Sequence, residues 1–435
     1  MMQRLSSIIL LASCALPHLA TAIPYSTKTA AGKQLASRAD ITDAVSSGAA
    51  TTVINGGVFG GVATQSISGN GTGNSTNGVP MLPSQVFYTF PDNYQPENIK
   101  QRSNGALLVT INTHPIVYQV DPTKNQSGAV LFNLTGYTSL FGIVESGTPD
   151  VFFFIANNFT GNPDFWGIEG SNSIWMVDMR NISATLDDAA IQKLNMTSKV
   201  RKVIDVPEAQ LLDGLTLLNA QLNYLLTGDA QTGTLWLIDV PSRVANKVYQ
   251  NEILAGTSSA RNESLAHVGI NGLKFNDKRT DNQLYFTNTA KGQLWMMPVD
   301  PTNPAPPIRD PVLLEDLGLN TYLDDFSLDA KGNAYICEPL KGVRFRSAGT
   351  TPGQDSVPTV AMFNANSNTF GRLQTDKCYL YLTINGRVNK DSPAPMNEPP
   401  SLARVDTTPM GVCNYLLNPV QQASPGSSPG TEGGG

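Results

Sequence analysis

Histidine is nearly absent from this chain, with three in 435 residues: His18 in an apolar leader, then only His114 and His267. No His-x-x-x-His or Cys-x-x-Cys spacing occurs, so the usual zinc ligand patterns are missing. Gly-x-Gly-x-x-Gly and phosphate-loop sequences are missing too, which leaves nucleotide cofactors no recognisable seat. A Gly-x-Ser-x-Gly match at Gly426–Gly430 lies in a Pro/Gly/Ser-rich tail, not between a strand and a helix, and marks no nucleophile. Charge is sparse, 15% of residues with a net of −6, so no basic face exists to neutralise phosphates and nucleic acid is not an expected partner. Beyond the leader no apolar run is long enough to span a bilayer.

The leader has the form of a secretory signal peptide over residues 1–22: a short basic region, an apolar core from Leu5 to Leu19, and Ala20-Thr21-Ala22 as cleavage site. Entry into the secretory pathway gives meaning to eight Asn-x-Ser/Thr sequons, at Asn70, Asn74, Asn125, Asn133, Asn158, Asn181, Asn195 and Asn262. A secreted or vacuolar glycoprotein is the expectation. Of the four cysteines, Cys14 leaves with the leader. The remaining Cys337, Cys378 and Cys413 suggest one disulfide and one buried thiol, with the pairing left open. Residues 23–83 read as a flexible Gly/Ser/Thr-rich segment, 84–418 as the folded domain, and 419–435 as a solvated tail.

The folded part repeats. Residues 267–300 contain Asn271-Gly272, the alternating run Leu284–Thr287, a Lys291-Gly292 turn and the returning run Leu294–Met297, which is an antiparallel meander. Residues 211–240 copy it, with Asp213-Gly214 for Asn271-Gly272 and Gly233-Thr234-Leu235-Trp236 for Gly292-Gln293-Leu294-Trp295. Weaker copies run over 97–121, 141–179, 323–363 and 373–406. Six such sheets predict an all-β, six-bladed β-propeller with four-stranded antiparallel blades, against a large β-sandwich as the competing arrangement. The strand at Val86–Phe90 is expected to complete the last blade, and Ala184–Ser198 to form a surface helix between blades two and three.

Polar residues recur where the inner strands begin: Glu97, Asp213, Asn271 and Asp324. In a propeller such positions face the central channel, where oxygen ligands from several blades could hold Ca²⁺; each is also an ordinary turn former. The Pro96-Glu97-Asn98-Ile99 opening, Asn271-Gly272-Leu273 with LYFTNTAKGQLW, and Asp324 before SLDAKGNAYIC resemble the gluconolactonase, regucalcin and paraoxonase group of propellers. That resemblance implies a divalent metal on Glu97, Asn271 and Asp324 and a lactonase or arylesterase activity. Asp213 stands where that group usually has Asn, and Asp325 where it has glycine.

A narrower resemblance covers nearly the whole mature chain. Its first blade, ENIKQRSNGALLVT, and its many sequons are similar to those of the hetero-Diels-Alderases of tropolonic sesquiterpene pathways in fungi. The resemblance implies an intermolecular cycloaddition of a tropolone o-quinone methide with a humulene-type terpene, needing no cofactor and using small apolar substrates. Trp295, Met296 and Phe326 are candidate pocket walls, among aromatics that otherwise pack between blades, and His114, His267 and Lys274 are candidate donors. A non-catalytic, ligand-binding propeller is the reading from another class.

Overall fold

The computed structural model describes residues 78–160, 166–186, 190–191, 193–258, 265–276, 282–303, 309–319, 321–386, 399–411 and 413. The leader, residues 23–77, the tail from residue 414 and the sequons at Asn70, Asn74 and Asn262 lie outside them. No described helix is long and apolar enough to cross a membrane.

Among the described residues, twenty-four strands form six four-stranded antiparallel sheets. Blade one is β2 (Pro96–Gln101), β3 (Leu107–Ile111), β4 (Ile116–Val120) and β5 (Gly128–Asn133); blade two is β6 (Ser139–Glu145), β7 (Val151–Asn157), β8 (Ser173–Asp178) and β9 (Val200–Asp205). Blade three is β10 (Leu212–Asn219), β11 (Tyr224–Asp229), β12 (Thr234–Asp239) and β13 (Val244–Gln250); blade four is β14 (Ile270–Asn276), β15 (Gln283–Asn288), β16 (Gln293–Pro298) and β17 (Val312–Asp316). Blade five is β18 (Phe326–Leu328), β19 (Ala334–Glu338), β20 (Gly342–Arg346) and β21 (Val357–Val360). Blade six is β22 (Ala365–Phe370), β23 (Tyr379–Ile384) and β24 (Ser401–Asp406), completed by β1 (Ser84–Thr89), which pairs with β24. The N-terminal strand thus closes the ring, as the run at Val86–Phe90 suggested. The inner strands β2, β6, β10, β14, β18 and β22 touch one another in that cyclic order.

The core is six cores. Each hydrophobic cluster joins two neighbouring blades, and because side chains alternate along a strand, one strand feeds both its neighbours. On β12, Leu235 and Leu237 turn toward blade four while Trp236 and Ile238 turn toward blade two. Burial on both faces is why these strands read as unbroken apolar runs.

Two expectations are corrected. The segment 184–198 lies inside blade two, between β8 and β9, and its described part holds only residues 190–191 in helical form and a 3-10 turn at Met196–Ser198. Blade six begins at Ala365, not Leu373: its inner strand, Ala-Asn-Ser-Asn-Thr-Phe, is buried along its length although mostly polar. Several of those polar groups are bonded inside the protein, with Asn368 Nδ2 on the Tyr335 carbonyl at 2.9 Å and the Ser367 amide on Thr383 Oγ1 at 2.9 Å. Cys378 and Cys413 form a disulfide tying the residue before β23 to the end of the described chain, and Cys337 is a buried free thiol.

One irregularity recurs in the inner strands. In five blades the first ladder slips by a residue, between Pro96 and Ile99, Phe141 and Ile143, Leu212 and Leu215, Ile270 and Leu273, and Ala365 and Asn368. A bulge of this kind leaves an amide without a ladder partner and re-aims side chains. A threonine hydroxyl on the second strand takes that amide in three blades: Thr110 from Asn98 at 3.1 Å, Thr287 from Gly272 at 2.9 Å and Thr383 from Ser367 at 2.9 Å. At Gly142, Gly214 and Gly272 the bulge lies against the next blade, where a Cβ would stand 2.5 Å from the Asp213 carbonyl, 2.1 Å from the Asn271 carbonyl and 2.7 Å from Asp325 Cα. Gly214→Ala should therefore destabilise the fold by about 1–3 kcal/mol, read as a lower urea midpoint at unchanged slope.

Candidate functional site

The bulge carries the site. Its first position holds Glu97, Asp213 and Asn271 on β2, β10 and β14, and Asp324 occupies the equivalent place ahead of β18. The structure brings these four together. Glu97, Asp213 and Asn271 are buried, and the Asn271 side chain hydrogen-bonds the Asp324 carboxylate. Asn112 Nδ2 donates to Glu97 Oε2 at 2.5 Å, and the Asp325 amide donates to Asp324 Oδ1 at 2.9 Å.

At the second bulge position, the three blades without glycine contribute one network. Asp325 Oδ2 accepts Ser367 Oγ at 2.7 Å and Asn98 Nδ2 at 3.0 Å, while Asp325 Oδ1 accepts Lys274 Nζ at 2.6 Å. Sequence reasoning missed Asn98 and Ser367, and it took Asp325 only as a missing glycine. The signal was available: in each of blades one, five and six a polar side chain stands where blades two, three and four carry Gly142, Gly214 and Gly272.

Carboxyl groups packed this way resist ionisation. Burial first, then the charges of Asp324 and Asp213, hold the Glu97 carboxyl well above the usual carboxylate range, against the Asn112 hydrogen bond. Burial and then Asp213 and Asp325 do the same to Asp324. Asp213 is pushed up to about 7 by burial and then by Asp325, with Lys274 opposing. At neutral pH the group holds protons, so it can donate hydrogen bonds to an oxygen in the channel and protonate a leaving hydroxyl.

The fit to calcium is poor. Glu97, Asn271 and Asp324 would be its protein ligands, yet hydrogen-bond donors already occupy two of them: Asn112 Nδ2 on Glu97 Oε2, and the Asp325 amide and the Asn271 side chain on the Asp324 carboxylate. An ammonium, Lys274, already sits on the neighbouring Asp325.

The other expected site residues lie elsewhere. His114 is in the loop between β3 and β4, edge-on to Tyr94 at 4.4 Å, with burial lowering its pKa. His267 is exposed and meets Trp166 edge-on at 5.0 Å. Trp295, stacked on Phe286, and Met296 lie on β16 and pack between blades. Phe326 is fully buried, with Lys274 Nζ 5.8 Å from its ring centroid. Two clefts, of about 600 and 450 Å³, open on the opposite face, where the inner strands end. Neither is lined by Glu97, Asp213, Asp324 or Asp325, so the buried acids and not these clefts mark the candidate site.

No family model matches the sequence. The chain is 25% identical over 339 residues, 72% of its length, to 89% of a protein from a Phoma species named "Putative hetero-Diels-Alderase". It is 24% identical over 357 residues, 74% of its length, to 81% of a protein from Sarocladium schorii named "Putative hetero-Diels-Alderase asR5". Among solved structures it is similar to a luciferin-regenerating enzyme (TM-score 0.51, 14% identity, 76% of this chain and 94% of that one). It is similar also to the calcium-binding protein regucalcin from Agrobacterium tumefaciens (TM-score 0.50, 11% identity, 75% and 96%). At such identities the solved structures speak for the fold alone.

A pH signature follows from Asp213, which gives up its proton at its ordinary 3.8 when unfolded and at about 7 when folded. Between those values the folded state binds the extra proton, so stability falls as pH rises. Asp213→Asn has no such proton. Its stability relative to wild type should climb from pH 4 to pH 7 by roughly 2–4 kcal/mol and then level off, as urea unfolding across that range would show.

Proposed function

We propose that the chain catalyses an intermolecular hetero-Diels-Alder cycloaddition, joining a tropolone o-quinone methide to a humulene-type sesquiterpene. The similarity to the two hetero-Diels-Alderase-named relatives carries the reading, and the proton-holding carboxyls of the channel support it chemically. A hydroxymethyl tropolone becomes the quinone methide by losing water: the exocyclic C–O bond breaks as its oxygen is protonated, and the ring hydroxyl gives up its proton. A protonated carboxyl among Glu97, Asp213 and Asp324 supplies the first proton. The heterodiene then adds across one terpene alkene, forming one C–C and one C–O bond with no nucleophile and no net proton change. Hydrogen bonds to the quinone-methide carbonyl make the diene more electrophilic, and holding both partners at attack distance supplies proximity and orientation.

Incubating the protein with a hydroxymethyl tropolone and humulene should give one product stereoisomer above the uncatalysed rate, and Glu97→Gln or Asp213→Asn should slow it by roughly 10²-fold. Racemic product at the background rate removes the reading. Loss of all turnover with EDTA, together with hydrolysis of an aryl ester or lactone, would favour the calcium-dependent hydrolase implied by the wider resemblance instead.

The leader and sequons support a secretory-pathway glycoprotein. Asn125, Asn181 and Asn195 are exposed in loops of blades one and two on the face away from the carboxylates, and Asn133 is exposed at the end of β5. Asn158 is half-buried, its side-chain oxygen is buried without a partner, and the Thr160 hydroxyl of its sequon donates to the Trp166 carbonyl at 3.1 Å. Glycan release in ¹⁸O-water from protein made in a secretory fungal host should label Asn125, Asn133, Asn181 and Asn195 and leave Asn158 unlabelled.

A further inference from the structure

Below the carboxylates the channel wall changes sign. One residue past the bulge, Lys100 on β2 and Lys274 on β14 occupy the same register, pairing across to Leu108 and Tyr285. Blades one and four are three steps apart in a ring of six, so the two lysines project from opposite walls. Lys274 is ion-paired with Asp325 at 2.6 Å and its side chain is 26% exposed, so solvent reaches it. Arg372, on the loop after β22, pairs with Glu145 at 2.6 Å and donates to the Gln101 carbonyl at 3.0 Å.

Lys100 has no such partner. It is half-buried, and apart from its backbone pairing in β2 no side-chain hydrogen bond or ion pair joins its ammonium to any described residue. Among the charged groups around it, Lys274 and Arg372 disfavour its charge while Glu145 and Asp325 favour it. Both of those carboxylates are already engaged, Asp325 by Lys274 and Glu145 by Arg372, so the Lys100 ammonium has no direct ion-pair partner in its half-buried position, where a charge without a partner is costly. Burial and the two neighbouring cations lower the Lys100 pKa to about 8, which leaves it mostly charged at neutral pH.

We propose that Lys100, assisted by Lys274 from the opposite wall, is the seat of a planar organic anion whose charge is shared by two adjacent oxygens, and that this anion is the ionised tropolone ring. The identity of the ligand rests on the cycloaddition reading; the anion site does not. Ionised tropolone is a vinylogous carboxylate, so it offers an ammonium the same charge-assisted hydrogen bonds as a carboxylate does. Seated there, its exocyclic carbon would lie within the channel whose other layer holds the protonated acids, so one layer would recognise the acidic ring oxygens and the other would act on the leaving hydroxyl.

Parent tropolone lacks the hydroxymethyl group and cannot react, so its binding can be measured apart from turnover, by calorimetry at neutral pH. Lys100→Met should weaken tropolone binding by about 10- to 100-fold, the loss of one charged hydrogen bond, and Lys100→Arg should recover most of it. Tropone, the same ring without the acidic hydroxyl, should bind wild type and Lys100→Met alike. Equal tropolone binding by wild type and a folded Lys100→Met, or equal binding of tropone and tropolone by wild type, overturns the proposal. Competition by acetate at the same concentration as tropolone would show a general anion site and overturn the tropolone assignment. Lys100-dependent tropolone binding with racemic product would sink the cycloaddition reading and leave the anion site standing; selective product with Lys100-independent binding would do the reverse.

Discussion

The inner-strand bulge is the constraint on which this protein turns. A regular ladder would send alternate residues of each inner strand to opposite sides. Slipping the ladder by one residue at the same place in five blades puts two consecutive positions at the channel, and a propeller has few other ways to crowd polar groups at its axis. The first position carries the acids. The second is glycine where blades two, three and four pass closest to their neighbours, and Asp325, Ser367 and Asn98 on the other side of the ring.

That asymmetry organises the electrostatics. Three glycines let backbones approach to distances no Cβ would tolerate, and the wall they make presents carbonyls and no side-chain donors at that level. The opposite wall puts two donors, Asn98 and Ser367, on one buried carboxylate, Asp325, and Lys274 joins them from blade four. Asp325, satisfied in this way, raises the proton affinity of Asp213 and Asp324 beside it. A glycine at position 325 would remove that carboxylate and take from Lys274 its ion pair. The arrangement fits the proposed chemistry, in which protons and ammonium groups act on an oxygen-rich organic molecule.

Such a site suits a cycloaddition. Once the quinone methide has formed, the cycloaddition itself needs only the polarising of one carbonyl, so geometry and a few donors carry that step. The ring supplies rigidity: six separate cores, one at each blade boundary, hold the inner strands at fixed distances, and β1 closes the circle so that no blade has an open edge toward its neighbour.

What the sequence determined by itself was the unit and its number. Alternating apolar runs around Asn271-Gly272 and Asp213-Gly214, and the shared Gly-x-Leu-Trp, specify a meander because period-two patterning and turn residues are local properties of the chain. They also marked Glu97, Asp213, Asn271 and Asp324, which recur at one register. The polar inner strand of blade six escaped that reading, since Asn366, Ser367, Asn368 and Thr369 look like a loop until partners from β19 and β23 take up their hydrogen bonds. Nor could periodicity show that Asp325 faces Lys274, that Asn98 reaches it from 227 residues away, or that Lys100 is left without a counterion. Those facts depend on which blades stand opposite one another, and only closing the ring sets that.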